Sequence, residues 1–291
     1  MSSTNEAIFN KIHFKGHDFY VLRDDLIGGD FNGNKARKLE YFLKADLSAF
    51  STVCSYGSSQ SNAMAALSIF AKRKKLDFIY FTNHISEFLR ANPTSNYSQA
   101  LANGAKIIAR DDYKEHFKAL KNASAHAKTT LFIPEGIACK QAEIGFKTQA
   151  SEIFSFMLKN KITFDIFLPS GSGTAAAYLA KNLSECAVYT TPCVGGVEYL
   201  KEQIFSLDLN SKVRILEPAL KCYFGDLKRE FYDIWQELKE QCGIDFELIY
   251  DPLGWLTLLA NLKTFKNPIL YIHQGGLGGL SSQLARYERK F

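Results

Sequence analysis

The sequence predicts an α/β protein with two domains, each a mostly parallel, twisted sheet flanked by helices. Short apolar segments alternate with segments of helical period along most of the chain, which is the pattern of strands joined by crossover helices. Such connections place helices on both faces of a parallel sheet. The alternation runs in two successive series, and 291 residues suffice for about two domains. We therefore expect two sheets with a cleft between them.

The first series precedes Glu135. Its expected strands cover residues 18–23, 51–56, 76–82, 105–110 and 130–134. One expected helix ends near Lys44, and a second carries Met64 and Leu67 on one face. Two further helices are expected over residues 96–102 and 113–127.

The second series begins with a long expected helix over residues 142–159. Its expected strands cover residues 164–169, 187–190, 213–216, 246–250 and 268–273. The expected helices cover residues 175–183, 198–205, 227–241 and 253–262, before a short terminal helix. Ligands of open parallel sheets bind beyond the carboxyl ends of the strands. The candidate loops at that edge are 58–62, 170–174 and the glycine loop after His273.

The composition excludes several classes of protein. Hydrophobic residues make up 46% of the chain and charged residues 22%, as in soluble globular proteins, and the net charge is +5. The basic run 72–75 ends a helical segment, where cations suit the helix dipole, so we expect no nucleic-acid partner. Six cysteines without CxxC spacing predict reduced thiols and no metal site. Without an apolar leader or a run of 18 apolar residues, we expect a cytoplasmic protein without membrane contact.

Two lysines stand at the start of an expected helix, in the segment 28–43. Lys35 and Lys38 are three positions apart, so both ammonium groups lie on one face and can address one site. The helix dipole disfavours cations at this end, and an anionic or covalently bound ligand would compensate. The spacing leaves open which lysine takes which role.

A second candidate site is the loop that joins the strand 164–169 to the next helix. Its amides and hydroxyls can surround an anion, and the helix dipole favours negative charge there. We interpret this loop as a phosphate site. Its residues are Ser170, Gly171, Ser172, Gly173 and Thr174.

Three phosphate-bearing ligands compete for such a loop. A triphosphate-binding loop is excluded because Gly33 is followed by Asn34 rather than directly by a lysine. The loop 170–174 resembles a dinucleotide fingerprint, but the next strand lacks the acidic residue that this fingerprint requires. Pyridoxal phosphate needs a lysine, a phosphate site and a support for its ring. Lys35 or Lys38, loop 170–174 and loop 58–62 provide all three.

Several motifs together resemble one enzyme family, and they span roughly residues 20–280 in the family's order. The chain is similar to the 1-aminocyclopropane-1-carboxylate deaminase/D-cysteine desulfhydrase family, whose fold is tryptophan-synthase β-like, the fold type II of pyridoxal-phosphate enzymes. The most specific motif is the block 33–40. The matching segments are Gly33-Asn34-Lys35-Ala36-Arg37-Lys38-Leu39-Glu40, Gln60-Ser61-Asn62, Ile133-Pro134-Glu135-Gly136, Asp251-Pro252 and His273-Gln274-Gly275-Gly276.

The resemblance implies a role for each matched residue. Lys35 would carry the Schiff base to pyridoxal phosphate, and Lys38 would lie near its phosphate in loop 170–174. Asn62 would bond the phenolic oxygen of the ring, and Ser61 would face the substrate as a catalytic residue. Two further residues complete the expected site, Gln60 beside the substrate and Gln274 near the pyridine nitrogen.

The implied reaction is deamination or elimination on a small amino acid, giving a 2-oxo acid and ammonia. The substrate amine would displace Lys35, which would then act as general base or acid. By the same resemblance a homodimer is expected. We also expect residues 1–46 together with 141–291 to form a large cofactor-binding domain, and 47–140 a small domain that closes over the cleft.

The chain departs from the family on the substrate side. After Asp251-Pro252 the family carries a tyrosine that reaches the substrate, where this chain has Gly254 and then Trp255. Either Tyr223 supplies a phenol to the site or the site has none. A second hypothesis is therefore a pyridoxal-phosphate-binding protein without catalysis, in a cofactor-binding or regulatory role.

Overall fold

The computed structural model describes residues 8–31, 33–123 and 128–291, and these contain two sheets. The six-stranded sheet has the order β1-β2-β10-β7-β8-β9, in which β1 is antiparallel to β2 and all other pairs are parallel. Its strands are β1 (Phe9–Phe14), β2 (His17–Arg23), β7 (Asp165–Ser170), β8 (Ala187–Pro192), β9 (Arg214–Ile215) and β10 (Ile269–His273).

The four-stranded sheet is entirely parallel, in the order β5-β4-β3-β6. The predicted α/β class with two mostly parallel sheets is therefore confirmed. The exact domain boundaries stay a prediction. The strands of this sheet are β3 (Thr52–Tyr56), β4 (Asp77–Thr82), β5 (Lys106–Ala109) and β6 (Thr130–Phe132).

Helices cover both faces of the six-stranded sheet, as parallel strands require. The side chains of α6 and α7 pack on one face with Ile166 and Leu270, and those of α9, α10 and α11 pack on the other with Phe167 and Tyr271. The helices are α1 (Asn34–Lys44), α2 (Asn62–Lys74), α3 (Glu87–Ala91), α4 (Ser95–Ala102), α5 (Tyr113–Asn122), α6 (Glu143–Asn160), α7 (Thr174–Asn182), α8 (Gly196–Leu207), α9 (Arg229–Cys242), α10 (Asp251–Ala260) and α11 (Leu280–Lys290).

The structure differs from the sequence prediction at several places. Residues 246–250 are not a strand, because the Glu247 side chain rather than a neighbouring strand accepts the amides of residues 249–251. The hairpin strand β1 was not predicted, although the Lys15-Gly16 turn, with φ of 48° and 79°, is typical of a tight hairpin. The helix expected over 113–127 ends at Asn122, and residues 124–127 lie outside the described residues.

Helix α6 approaches the start of α1 so closely that one of its residues must be glycine. A Cβ built on Gly145 would lie 1.9 Å from the Arg37 carbonyl oxygen, and backbone atoms cannot move aside as a flexible side chain can. We expect Gly145→Ala to lower the free energy of unfolding by about 1–3 kcal/mol, as overpacked cores do, measured by urea denaturation.

Gly279→Ala is the matched control for this substitution. A Cβ there would meet only the Asn96 side chain at 3.6 Å, an ordinary contact, and the backbone does not require a left-handed residue. We therefore expect little change in its unfolding free energy. Equal losses in the two variants would contradict the close approach of α6 to α1.

Candidate active site

A cleft of about 800 Å³ is lined by the carboxyl ends of strands and the helix starts that follow them. This volume suits a cofactor with a small second ligand. Nearly all of the predicted site residues line it. They are Lys35, Lys38, Gln60, Ser61, Asn62, Ser170, Gly171, Ser172, Gly173, Thr174 and Gln274.

Lys35 stands in the wall of the cleft at the first turn of α1. Its ammonium donates a hydrogen bond to Asn34 Oδ1 at 2.7 Å, and the Asn34 amide donates to Gln274 Oε1, also at 2.7 Å. Gln274 in turn donates to the Pro169 carbonyl at 2.6 Å, so three elements fix this lysine. Burial lowers the pKa of Lys35 to about 8, against the opposing effect of Glu247. With this pKa roughly a tenth of the amine is neutral at pH 7, against well under a thousandth for an ordinary lysine.

Lys38 lies one turn further along α1 and has different partners. Its ammonium donates to the Gly136 carbonyl at 2.7 Å. Burial lowers its pKa well below the usual value, and the nearby Lys35 lowers it further. A Cβ on Gly136 would lie 3.5 Å from Ser172 Oγ, which places the Lys38 ammonium beside loop 170–174. An anion bound there would stabilise the charged form of Lys38.

Loop 170–174 joins β7 to α7 with the geometry of an anion site. The first amides of a helix have no partners within it and point toward a ligand. Gly173 adopts a φ of 67°, and its Cβ position is filled by Ile204 at 2.5 Å, so only glycine fits this turn. Ser172 and Thr174 join their hydroxyls at 2.8 Å, and Ser170 Oγ accepts from Thr190 at 2.7 Å.

The polar loop before α2 is held in place from both of its sides. Ser61 caps α2, its Oγ accepting from the amides of Ala63 and Met64 at 3.1 and 3.4 Å. The Gln60 side chain accepts from the Tyr97 amide at 3.0 Å. Asn62 Oδ1 accepts from Asn96 at 2.8 Å. These hydrogen bonds, all between uncharged groups, fix the loop where it lines the cleft.

A buried carboxylate, Glu247, also lines the cleft, and the sequence analysis did not single it out. Its Oε2 accepts from the Ile249 amide at 2.7 Å, and its Oε1 accepts from the amides of Tyr250 and Asp251. The Glu247 amide in turn donates to the Asp251 carboxylate at 3.2 Å, a reciprocal pairing at the start of α10. Burial raises the pKa of Glu247, while these amides and Lys35 act to lower it.

The cleft contains a phenol, but it is not the one predicted. Tyr223 is 81% exposed and does not line the cleft, because it lies in a surface turn closed by Asp226. Tyr250 lines the cleft instead, with its ring beside Gly171 and 5.6 Å from the ring of Phe224. Its position directly before Asp251-Pro252 was the signal in the sequence. Burial raises the pKa of Tyr250, which keeps the hydroxyl protonated as a donor.

Gly254 and Trp255, the two residues that differ from the family pattern after Asp251-Pro252, are explained by packing. A Cβ on Gly254 would lie 3.0 Å from the Tyr271 hydroxyl and 3.1 Å from Pro169, which leaves no space for a tyrosine. Trp255 is fully buried and stacks on Tyr271 with ring centroids 4.4 Å apart. These two residues therefore belong to the core under the sheet rather than to the cleft.

His273 stabilises the glycine loop that follows it and does not line the cleft. It is fully buried, its Nδ1 accepts from the Gly275 amide at 3.1 Å, and Nε2–H reaches the Asp245 carbonyl at 2.8 Å. Burial lowers its pKa, which favours this neutral form.

Among the described residues, no cluster of three or more His, Cys, Asp or Glu side chains could hold a metal ion. In the same part of the chain, no helix is long and apolar enough to cross a membrane.

Comparisons with known proteins agree with the motifs. No family model matches the chain. The "Putative 1-aminocyclopropane-1-carboxylate deaminase" of Pyrococcus horikoshii is 29% identical over 289 residues, covering 91% of this chain and 86% of that protein. The D-cysteine desulfhydrase of Serratia proteamaculans is 22% identical over 92% of this chain and 89% of its own. Over most of its length the chain is thus similar to proteins that carry these two names.

A solved structure shows that the fold is shared as well. The crystal structure of an ACC deaminase homologue matches 98% of this chain and 99% of its own, with a TM-score of 0.76 and 22% identity. The resemblance inferred from the motifs is thus confirmed at the level of relatives and fold.

The residues present fit pyridoxal phosphate. A lysine amine with lowered pKa, a helix start with hydroxyls for phosphate, and the Asn62 amide for a ring oxygen all face one cleft. The glycines keep the wall open for a flat ring. A Cβ on Gly276 would lie 3.3 Å from the Asn62 amide nitrogen and 3.2 Å from the Glu247 side chain, and one on Gly171 would press on Tyr250.

Proposed function

We propose that this protein is a pyridoxal-phosphate-dependent enzyme that removes ammonia from a small amino acid by deamination or α,β-elimination, giving a 2-oxo acid. The observation that carries the proposal is Lys35, a cleft lysine with a pKa of about 8 that shares its cleft with the phosphate-type loop 170–174. Support also comes from the curated relatives, which are named for such reactions.

When bound, pyridoxal phosphate supplies an electron sink for negative charge at the substrate carbon. The chain supplies the rest. Lys35 would hold the cofactor; once free, its neutral amine would take a proton from the substrate carbon, and the ammonium so formed would return one. Lys38 and the helix start of α7 hold the phosphate. Asn62 orients the ring through its amide.

The substrate side of the site rests on neutral groups. Ser61 presents a hydroxyl at the start of α2, where the positive end of the helix dipole also favours a carboxylate. Gln60 lines the same wall, and Tyr250 offers a protonated phenol from the other side of the cleft. These groups suit a small amino acid whose carboxylate lies against α2. The homodimer expected from the resemblance stays a prediction.

A catalytically idle cofactor-binding protein is the second candidate. The exposure of Tyr223 and the glycine at 254 favour it, because the family's substrate-contacting tyrosine has no counterpart at either position. The position of Tyr250 argues against this second candidate, because Tyr250 lines the cleft and places a phenol there from a position close to Gly254 in the chain.

A panel of small D- and L-amino acids and 1-aminocyclopropane-1-carboxylate separates the two candidates. We expect ammonia, or sulfide from cysteine, to be released by the cofactor-loaded protein with at least one of them. The Lys35→Ala variant serves as the blank, because free pyridoxal phosphate slowly reacts with amino acids on its own. If the protein binds the cofactor but no amino acid gives product above this blank, the hypothesis of a cofactor-binding protein without catalysis replaces the enzymatic one. A chain that binds no pyridoxal phosphate would refute both.

A further inference from the structure

Arg286 is a cation of the cleft that the proposed reaction has not used. It lies on α11, one turn after Gln283, and both side chains line the cleft. Leu284 and Tyr287, on the neighbouring face of the same helix, pack into the core and hold α11 in place. No other arginine of the described residues lines the cleft. A charge in a cleft partly shielded from water acts strongly on a bound ligand.

Neutral acceptors hold the guanidinium of Arg286. Nη1 donates to Gln283 Oε1 at 2.9 Å, and Nη2 donates to the Gly225 carbonyl at 3.0 Å. In the part of the chain that the structure describes, no carboxylate pairs with this guanidinium. Nε–H and the second N–H of each terminal nitrogen are therefore left for a ligand. Because a guanidinium presents its N–H groups in a planar fork, a carboxylate matches it well.

The hydrogen bonds of Arg286 connect it to two walls of the cleft. Its first partner, Gln283, also lines a small cavity with Asn62, at the start of α2. Its second partner belongs to loop 223–227, whose phenylalanine ring lies 5.6 Å from the Tyr250 ring. Arg286 is thus one side chain away from the wall against which the substrate carboxylate is proposed to lie, and it also borders the aromatic wall.

We propose that Arg286 binds an acidic group on the side chain of the substrate, so that the substrates of this cleft are dicarboxylic amino acids. The inference rests on the proposed function and deepens it by naming the substrate class. The carboxylate next to the substrate amine lies against Ser61 and the start of α2, which leaves the guanidinium for a second carboxylate. A cleft of about 800 Å³ has room for this longer side chain beside the cofactor.

A purely structural role of Arg286 makes a different prediction. Its bond to the Gly225 carbonyl ties loop 223–227 to α11, as does the bond from Lys290 to the Leu227 carbonyl at 2.6 Å. If Arg286 served only to hold this loop, its removal would weaken the binding of all amino acids alike. If it binds the substrate side chain, the loss falls on amino acids with a second carboxylate. The affinity of an acidic amino acid relative to its amide separates the two roles.

The test is the change in visible absorption when amino acids are added to the cofactor-loaded protein, after unbound cofactor has been removed. Aspartate is compared with asparagine, and glutamate with glutamine, in both enantiomers, because each pair has the same size and differs in charge. We expect the better acid to bind about 10- to 100-fold more tightly than its amide, as a charge-assisted hydrogen-bonded pair contributes. Equal affinities, tighter binding of the amides, or no binding of either acid would overturn the proposal.

Three variants assign this preference to its residue. Arg286→Gln should remove most of the preference for the acid, and Arg286→Lys, which keeps the charge without the fork, should retain part of it. Lys290→Gln is the matched control, because it frees the same loop from α11 but Lys290 does not line the cleft. The preference should be unchanged in this control. Equal losses for acid and amide in Arg286→Gln, or the same fall in preference in Lys290→Gln, would leave Arg286 a structural role alone.

A measurement on the cofactor-free wild type covers the case in which these variants do not fold. Phenylglyoxal modifies accessible guanidinium groups, and peptide mapping gives the rate at Arg286. Glutarate should slow this modification more than its uncharged diamide does. Arg289, exposed on the same helix and outside the cleft, should show no difference between the two. Equal rates at Arg286 with the two compounds, or equal protection of Arg289, would overturn the proposal.

These outcomes are separate from those of the proposed function. A protein that binds the cofactor but turns over no amino acid can still bind aspartate or glutamate more tightly than the amides. A chain that binds no pyridoxal phosphate can still show protection of Arg286 by glutarate. An enzyme that releases ammonia from neutral amino acids and shows no preference for the acids would confirm the proposed function and overturn the role of Arg286.

Discussion

Lys35→Ala is expected to abolish turnover and the visible absorption of lysine-bound pyridoxal phosphate, whereas Lys38→Ala keeps that absorption and binds the cofactor more weakly. Of the two lysines, Lys35 is the one anchored on Asn34, and burial lowers its pKa to about 8. Lys38 sits beside loop 170–174, where its loss removes a countercharge for phosphate. The loss of the base alone should reduce turnover by about 10²- to 10⁴-fold.

Absorbance titration with pyridoxal phosphate, followed by borohydride reduction and peptide mapping, checks both variants. In the wild type, reduction should attach the cofactor to the peptide that carries Lys35. In Lys38→Ala the same peptide should be labelled, at higher cofactor concentrations. Attachment at Lys38, or loss of the band in Lys38→Ala at saturating cofactor, would reverse the assignment.

Arg37→Met is expected to cost about 3–5 kcal/mol of unfolding free energy, because it leaves a buried carboxylate without its cation. Arg37 donates to Asp24 Oδ1 through Nε and Nη2 at 3.0 and 2.8 Å, and Nη2 also pairs with Glu152 at 2.7 Å. Arg37 and Asp24 are almost fully buried. This network ties α1, and therefore Lys35, to the turn after β2 and to α6.

Urea unfolding of three variants tests this network. Arg110→Met removes an exposed pair with Asp112 of similar geometry and should change stability little. The double variant Asp24→Asn, Arg37→Met should be more stable than Arg37→Met alone, because no charge is then left buried and unpaired. A loss in Arg37→Met as small as that in Arg110→Met would show that the buried pair contributes little.

Local patterns in the sequence were enough to predict the two mostly parallel sheets and most of their helices. The alternation of apolar strands and helical segments reflects burial on both faces of parallel strands, so it can be recognised in the sequence. The hydroxyl loop 170–174 and the polar loop 58–62 could be placed at the cleft because loops after parallel strands share one edge. Lys35 and Lys38 were found together, since three positions on a helix bring them to one face.

The failures occurred where side-chain contacts, rather than the local sequence pattern, decide the outcome. Residues 246–250 have the composition of a strand, but Glu247 takes up the amides that a strand would pair. Tyr223 was expected to supply the phenol, yet the fold turns it to solvent and brings Tyr250 into the cleft. Gly254 looked like a lost catalytic tyrosine, but the packing of Tyr271 and Pro169 leaves no room for a side chain there.

The fold class, the two candidate cofactor lysines and the candidate phosphate loop could be predicted from the sequence alone, because period, spacing and motif are properties of neighbouring residues. Which phenol lines the cleft, and which residues leave no room for a side chain at position 254, depend on tertiary contacts. Burial and charge pairing depend on elements such as α1, α10 and β10, which are distant in the chain and meet only in the folded protein.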